Sequence, residues 1–184
     1  SKKLHKHPIL LWNHRWEYDK NPEAFFKTCQ ELSARNLPFG LVVLGEQYAK
    51  APDVFTEARQ QLAQHILHWG YAKDFDNYAH WLQQADYLPV TSKQDFFGGS
   101  VVEAIYCGAY PLLPQRLAFP EHIPVEHQAQ HLYHTDEELL ERLTNLMQQP
   151  LQRPTHFSLK DQVADYDWRI LVKQYDEEMN KIVR

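Results

Sequence analysis

Short apolar runs recur along this chain, separated by segments whose apolar residues repeat at helical spacing. Pro8-Ile-Leu-Leu-Trp12 is the first run, and Phe39-Gly-Leu-Val-Val-Leu-Gly45, closed by a glycine, is the second. A strand apolar at successive positions has no face to give to water, so each run reads as a strand covered on both sides. Further strands are expected around Ile66 to Trp69, over Asp86 to Thr91 and over Ala109 to Leu113. Helical segments lie between them. Asn21-Pro22-Glu23 supplies an N-cap, a proline at the first helical position and an acid in the first turn, ahead of apolar Phe25, Phe26, Cys29 and Leu32. Helices are also expected over about 53–64, over 74–84 with Tyr78, Trp81 and Leu82 on one face, and over 100–107 with Gly108 as its cap. Thr135-Asp-Glu-Glu138 has the pattern of a capping box for a helix reaching Gln149, and Asp167 to Arg184 reads as a long terminal helix. Strands alternating with helices at this spacing predict an α/β fold, a Rossmann-like doubly wound parallel sheet. The loops after Trp12, Leu44, Trp69, Thr91 and Leu113 then share one face, at the carboxyl ends of the strands, where such folds bind ligands.

The chain length of 184 residues suits one domain, with residues 1–7, including Lys2, Lys3 and Lys6, as a tail. No apolar run reaches the roughly 18–20 residues needed to span a bilayer, and no signal-peptide cleavage pattern is present, so a cytoplasmic protein without a membrane partner is expected. Cys29 and Cys107 form no disulfide framework. A net charge of −5 leaves no broad basic surface for nonspecific nucleic-acid binding. His65 and His68 have helix-like spacing but no evident third ligand, so no metal site is expected.

Two motifs carry the chemistry. Asp95-Phe-Phe-Gly-Gly-Ser-Val-Val-Glu103 reads as a Gly-rich turn opening into an apolar helix, with a carboxylate on either side. Backbone N–H groups and the dipole at such a helix start favour an anion, whereas carboxylates favour hydroxyls. A ligand with sugars on both sides of a pyrophosphate satisfies both. Ser100 and Glu103 equally fit the S-x-x-E capping box, Asp95 fits a turn, and Gly98 and Gly99 fit positions of positive φ. The second motif is Asn13-His14-Arg15-Trp16-Glu17-Tyr18-Asp19-Lys20, directly after the first strand. Alone, Arg15 and Lys20 there read as solvated charges paired with Glu17 or Asp19. The predicted topology instead aims both at the helix start of residues 98–100, where a guanidinium and an ammonium grip phosphate oxygens.

Arg15 and Lys20, five residues apart after the first strand, resemble the arginine–lysine pair of the retaining glycosyltransferases of family 4, and residues 95–103 resemble that family's E-x7-E motif. The similarity runs from about residue 8 to the terminal helix and corresponds to the C-terminal, donor-binding half of a GT-B fold. His14-Arg-Trp-Glu17, Lys20-Asn-Pro22, His68-Trp-Gly70, Phe96-Phe-Gly98 and Ala104 to Pro111 further resemble the tRNA-queuosine α-mannosyltransferase group. The resemblance implies that Arg15 and Lys20 hold the diphosphate and stabilise the leaving nucleotide. Gly98, Gly99 and Ser100 complete that cradle, with Phe97 alongside. Glu103 accepts from ribose hydroxyls, Asp95 from the transferred sugar, and Trp69-Gly70-Tyr71 border the base. Asp95 departs from the family's glutamate by one methylene, so its sugar contact is longer or runs through water. The implied donor is a nucleotide sugar, GDP-mannose, used without a metal or other cofactor. The implied acceptor is queuosine in tRNA, bound mainly by an N-terminal half that these 184 residues do not include. The isolated chain is then expected to bind donor and to transfer nothing. The Trp168, Leu171, Val172 and Tyr175 stripe of the terminal helix fits either a core face or a face covered by that half. The alternatives are a UDP-sugar enzyme with a lipid or saccharide acceptor, and a non-catalytic nucleotide-sugar-binding module.

Overall fold

A computed structural model of the chain describes residues 5–45, 51–93, 98–116 and 119–149. The expected terminal helix of residues 167–184 lies outside them. The strands are β1 (Ile9–Trp12), β2 (Gly40–Leu44), β3 (Ile66–Gly70), β4 (Tyr87–Pro89), β5 (Tyr110–Pro114) and β6 (Leu132–Tyr133). They form one six-stranded sheet in the order β3-β2-β1-β4-β5-β6, and every pairing is parallel. The helices are α1 (Pro22–Ala34), α2 (Val54–Gln61), α3 (Phe75–Gln84), α4 (Gly99–Tyr106), α5 (Val125–His131) and α6 (Asp136–Gln148). Among the described residues no helix is long and apolar enough to cross a membrane.

The runs that read as two-sided strands are covered on two sides. Leu10 and Trp12 of β1, with Leu41 and Val43 of β2, enter a core built with Phe25, Phe26, Phe55 and Leu139 from α1, α2 and α6. The alternate residues Ile9, Leu11, Val42 and Leu44 enter a second core with Leu82 of α3 and Val101, Val102 and Ile105 of α4. Side chains alternate faces along a strand, so a run buried on both faces must be apolar at successive positions. The helix ends follow their sequence signals. Asn21 caps α1 by accepting from Ala24 N, with Pro22 in the first turn. Gly108, at φ +100, closes α4 with paired bonds, Gly108 N to Ile105 O and Ala109 N to Ala104 O. That is a Schellman termination, in which a left-handed residue turns the chain back toward the sheet.

Three expectations change. No element is expected between Leu113 and Thr135, and residues 114–124 are expected to be an irregular connection; the described residues there hold a 3-10 turn at Phe119–His122, then α5, then the two-residue strand β6 that extends the sheet. The second helix stops at Gln61, and a separate 3-10 turn, Ala63–His65, leads into β3. The capping box at α6 is half formed. Thr135 Oγ1 accepts from Glu138 N at 3.1 Å, but the return bond runs from His134 N to Glu138 Oε2 at 2.7 Å, one residue before the cap.

The Glu138 carboxyl is held at about 2, below its ordinary 4.5, first by that His134 N–H and then, against a burial penalty, by hydrogen bonds from Arg142 and His134. A carboxyl with a lowered folded-state pKa adds stability above its ordinary value and loses it as pH falls through the folded one. Glu138→Gln is therefore expected to lower stability by on the order of 1 kcal/mol at neutral pH, with the difference closing between pH 4.5 and about 2. Denaturant midpoints measured across that window check it; a difference that stays constant with pH contradicts it.

Candidate functional site

The strand order reverses between β1 and β4: the chain winds outward from β1 through β2 to β3, then crosses to β4 and onward to β6. Loops leaving β1 and β4 diverge at such a point and open a crevice at the carboxyl ends of the strands. Two indoles fix the loop after β1. Trp12 Nε1 donates to His14 O at 3.0 Å, and Trp16 Nε1 donates to Leu44 O at 3.1 Å, binding the loop to the end of β2. Gly45 permits that closure. Its φ of +127 disfavours any other residue, and a Cβ there would come within 2.7 Å of Trp16 Nε1. The Trp16 ring stacks on Phe55 of α2, with centroids 4.4 Å apart.

The loop after β1 meets the first turn of α4, as the topology predicts. Asn13 Nδ2 donates to Ser100 O at 2.8 Å, and His14 Nδ1 lies 3.1 Å from Ser100 Oγ. Gly98 is the N-cap of α4 and contributes no side-chain cap, while Gly99 is the first helical residue. The first intrahelical donors are Val101 N and Val102 N, both to Gly98 O, so the N–H groups of Gly99 and Ser100 lie ahead of the ladder at the positive end of the helix dipole.

Two structural alternatives for this motif do not hold. Gly98 has φ −81 and Gly99 is α-helical, so neither glycine serves a left-handed backbone. Ser100 is inside the helix, with Gly98 as the cap, so Ser100 and Glu103 do not make the capping box that their spacing suggests. Glu103 Oε2 instead accepts from the Tyr78 hydroxyl of α3 at 2.9 Å. The phenol holds one oxygen of the carboxylate at the helix face one turn inside α4.

The cations occupy the same end of the sheet. Arg15 Nη1 is 3.5 Å from Glu17 Oε1, and its side chain is 48% exposed. Lys20, at the end of the 3-10 turn Tyr18–Lys20, lies 3.7 Å from Asp19 Oδ2 and is only 13% exposed. The turn is fastened to the loop after β4: Thr91 Oγ1 bridges Lys20 O at 3.1 Å and Asn21 O at 2.9 Å, and Lys93 N donates to Asp19 O at 2.8 Å. Burial, and then the nearby Lys20 charge, hold His14 at about 3, so its imidazole is neutral at every physiological pH. Asn13, His14 and Thr91, none of which has a role assigned from sequence, bind the two loops and α4 together. Arg116 joins them, its Nη2 donating to Thr91 O at 3.4 Å.

Trp69 and Gly70 close β3. The Trp69 ring stacks on Phe26 at 5.6 Å and meets Trp16 edge-on at 5.9 Å, so it braces the loop after β1 from the side. Gly70, at φ +110, accepts from Gly45 N at 3.2 Å. Tyr71 is 73% exposed at the mouth of the next loop. Asp95 and Phe97 lie outside the described residues. The loop carrying Arg15 and Lys20 and the first turn of α4 thus meet at one end of one sheet.

Comparison with known proteins agrees with this architecture. Residues 1–163 match the family model described as glycosyl transferases group 1. A tRNA-queuosine alpha-mannosyltransferase of Drosophila melanogaster is 33% identical over 141 residues, which is 77% of this chain and 36% of the relative. The chain thus spans about a third of that relative's length. The C-terminal domain of a glycosyl transferase group 1 family protein from Francisella tularensis superposes with a TM-score of 0.70 at 20% identity, covering 88% of this chain and 86% of that one. Sucrose-phosphate synthase of Thermosynechococcus elongatus gives a TM-score of 0.72 at 16% identity over 97% of this chain and 46% of that one. HepE of Anabaena, solved in complex with UDP, gives 0.66 at 15% identity over 95% of this chain and 49% of that one. The parallel sheet is therefore that of GT-B C-terminal domains, and the chain belongs to the glycosyl transferases group 1 family.

Proposed function

We propose that this chain is the donor-binding domain of a retaining glycosyltransferase that moves mannose from GDP-mannose to queuosine in tRNA. The observation that carries the donor-binding part is the junction at Ser100, where Asn13 and His14 bring the Arg15–Lys20 loop onto the glycine start of α4. Donor and acceptor identity rest on the mannosyltransferase relative. Acceptor binding falls to the part of a longer chain that corresponds to the remainder of that relative.

In this reading Arg15 and Lys20 hold the diphosphate with the N–H groups of Gly98, Gly99 and Ser100. As the glycosidic C–O bond breaks, the anomeric carbon becomes oxocarbenium-like and negative charge grows on the departing diphosphate. Cations and helix dipoles already fixed beside that charge stabilise it without reorganising, and the neutralisation requires no metal. Glu103 accepts from the ribose hydroxyls with its orientation set by Tyr78. Asp95 serves the transferred sugar, and the Trp69–Tyr71 turn borders the base.

A UDP-sugar donor is the second reading, favoured by the UDP complex of the Anabaena neighbour. Titrating the chain with GDP, UDP and ADP separates the two. GDP is expected to bind tightest, while transfer to queuosine tRNA is expected to stay at background until the acceptor-binding half is supplied. UDP binding tightest overturns the mannosyl assignment, and measurable transfer by the chain alone overturns the division of labour. A complete enzyme that binds donor without turning it over would identify a non-catalytic binding module.

A further inference from the structure

Two adjacent side chains at the end of β1 are buried with a polar atom unused. Asn13 is 8% exposed and His14 5%. Each spends one polar atom on Ser100: Asn13 Nδ2 on the carbonyl, His14 Nδ1 on the hydroxyl. The remaining atoms, Asn13 Oδ1 and His14 Nε2, are buried and meet no hydrogen-bond partner among the described residues. Burying a polar atom unpaired is costly, and such atoms are uncommon in folded proteins. Here two lie on consecutive residues, beside the start of α4 and near the Lys20 charge.

We infer that His14 Nε2–H donates a hydrogen bond to the diphosphate of the donor nucleotide, as a third fixed donor beside Lys20 and the first turn of α4. The inference rests on the donor-binding reading above and adds a residue to it. Three features support this role. With the Ser100 hydroxyl donating to His14 Nδ1, the ring proton sits on Nε2 and that atom is a donor. The imidazole is neutral in this surrounding, so it offers one directed N–H rather than a charge. An anionic oxygen is the acceptor that Lys20 and the helix dipole also favour. The Trp12 indole meets the imidazole edge-on at 5.1 Å and donates to the His14 carbonyl, so both ring and main chain are held in place.

The two nitrogens can be tested apart. Asparagine places its amide near the position of Nδ1, whereas glutamine reaches the position of Nε2. Binding is measured by calorimetry on the chain with whichever of GDP, UDP and ADP the wild type binds best, and in parallel with the matching nucleoside. His14→Asn is expected to weaken nucleoside diphosphate binding by about ten- to a hundredfold while leaving nucleoside binding unchanged. His14→Gln is expected to retain most of the diphosphate affinity. Equal loss of nucleoside and diphosphate, or no loss of either, overturns the inference. Wild-type chain that binds none of the diphosphates overturns the donor-binding reading itself, and the inference with it. Should His14→Asn fail to fold, 15N-histidine spectra of the wild type decide the matter. Added diphosphate should bring a protected Nε2–H signal, identified by its absence in His14→Gln, and no such signal means no bond.

Discussion

Lys20→Ala, made in the enzyme complete with its acceptor-binding half, is expected to lower the turnover of sugar transfer by about 10²–10³-fold, the loss typical of removing one preorganised group facing a developing anion. Lys20 is chosen over Arg15 on exposure. An ammonium 13% exposed is less screened by water than a guanidinium that is 48% exposed. Arg15→Ala is accordingly expected to cost less, and its effect to shrink further at high salt. The substitution should leave the fold intact. What anchors the turn is the Lys20 carbonyl, bound by the Thr91 hydroxyl, and a main-chain carbonyl survives the change. The lost pairing with Asp19, at 3.7 Å and partly exposed, contributes about 0–1 kcal/mol to stability. The measurement is steady-state transfer at saturating donor, with a thermal melt of each variant. A turnover within threefold of wild type, with the melt unchanged, would remove Lys20 from the chemistry.

Parts of this fold are written plainly in the residues. β1 and β2 could be read because both faces of each are covered, which forces consecutive apolar positions, and α1 because Asn21, Pro22 and Glu23 each satisfy a different requirement of a helix start. α5 and β6 carry no such mark. Val125 is 81% exposed, the rest of α5 is largely polar, and a two-residue strand is too short to show alternation. They are set by packing against β5 and by the register Leu113 to Leu132, which are tertiary facts. Arg15, Lys20 and the glycines stand out in the sequence as candidates because charge and the lack of a side chain are properties of single residues. The contacts of Asn13 and His14 do not. A polar pair after a strand is ordinarily taken by water, and only the approach of Ser100, 86 residues from His14, buries it. Glu103 shows the same limit from the other direction. Its spacing from Ser100 spelled a capping box, but the helix begins two residues earlier than that box needs, and the carboxylate is held by Tyr78 of another helix.

Trp12→Ala is expected to destabilise the chain by about 3–5 kcal/mol, the range for removing a large buried aromatic side chain. The indole is fully buried at the end of β1 and packs against Phe25 at 5.1 Å, Phe55 at 5.7 Å and Phe26 at 6.0 Å. Deleting it opens a cavity among three helix-borne rings that cannot all move in, because each is also committed to its own helix. The same side chain reaches the site through the bond from Nε1 to the His14 carbonyl. Trp12→Phe separates the two roles. A phenyl ring fills much of the space and donates nothing, so the stability loss should fall to roughly 1–2 kcal/mol, one hydrogen bond plus a small void. The loop carrying His14, Arg15 and Lys20 nevertheless loses its tie to the strand end. Nucleotide affinity should then drop further than the modest stability loss implies, because the order of that loop would have to be supplied by the ligand on binding. Chemical denaturation of both variants gives the first comparison, and nucleotide titration of Trp12→Phe gives the second. Unchanged nucleotide binding in Trp12→Phe would show that Trp16, through its bond to Leu44, holds the loop without help. Trp12 would then belong to the core alone.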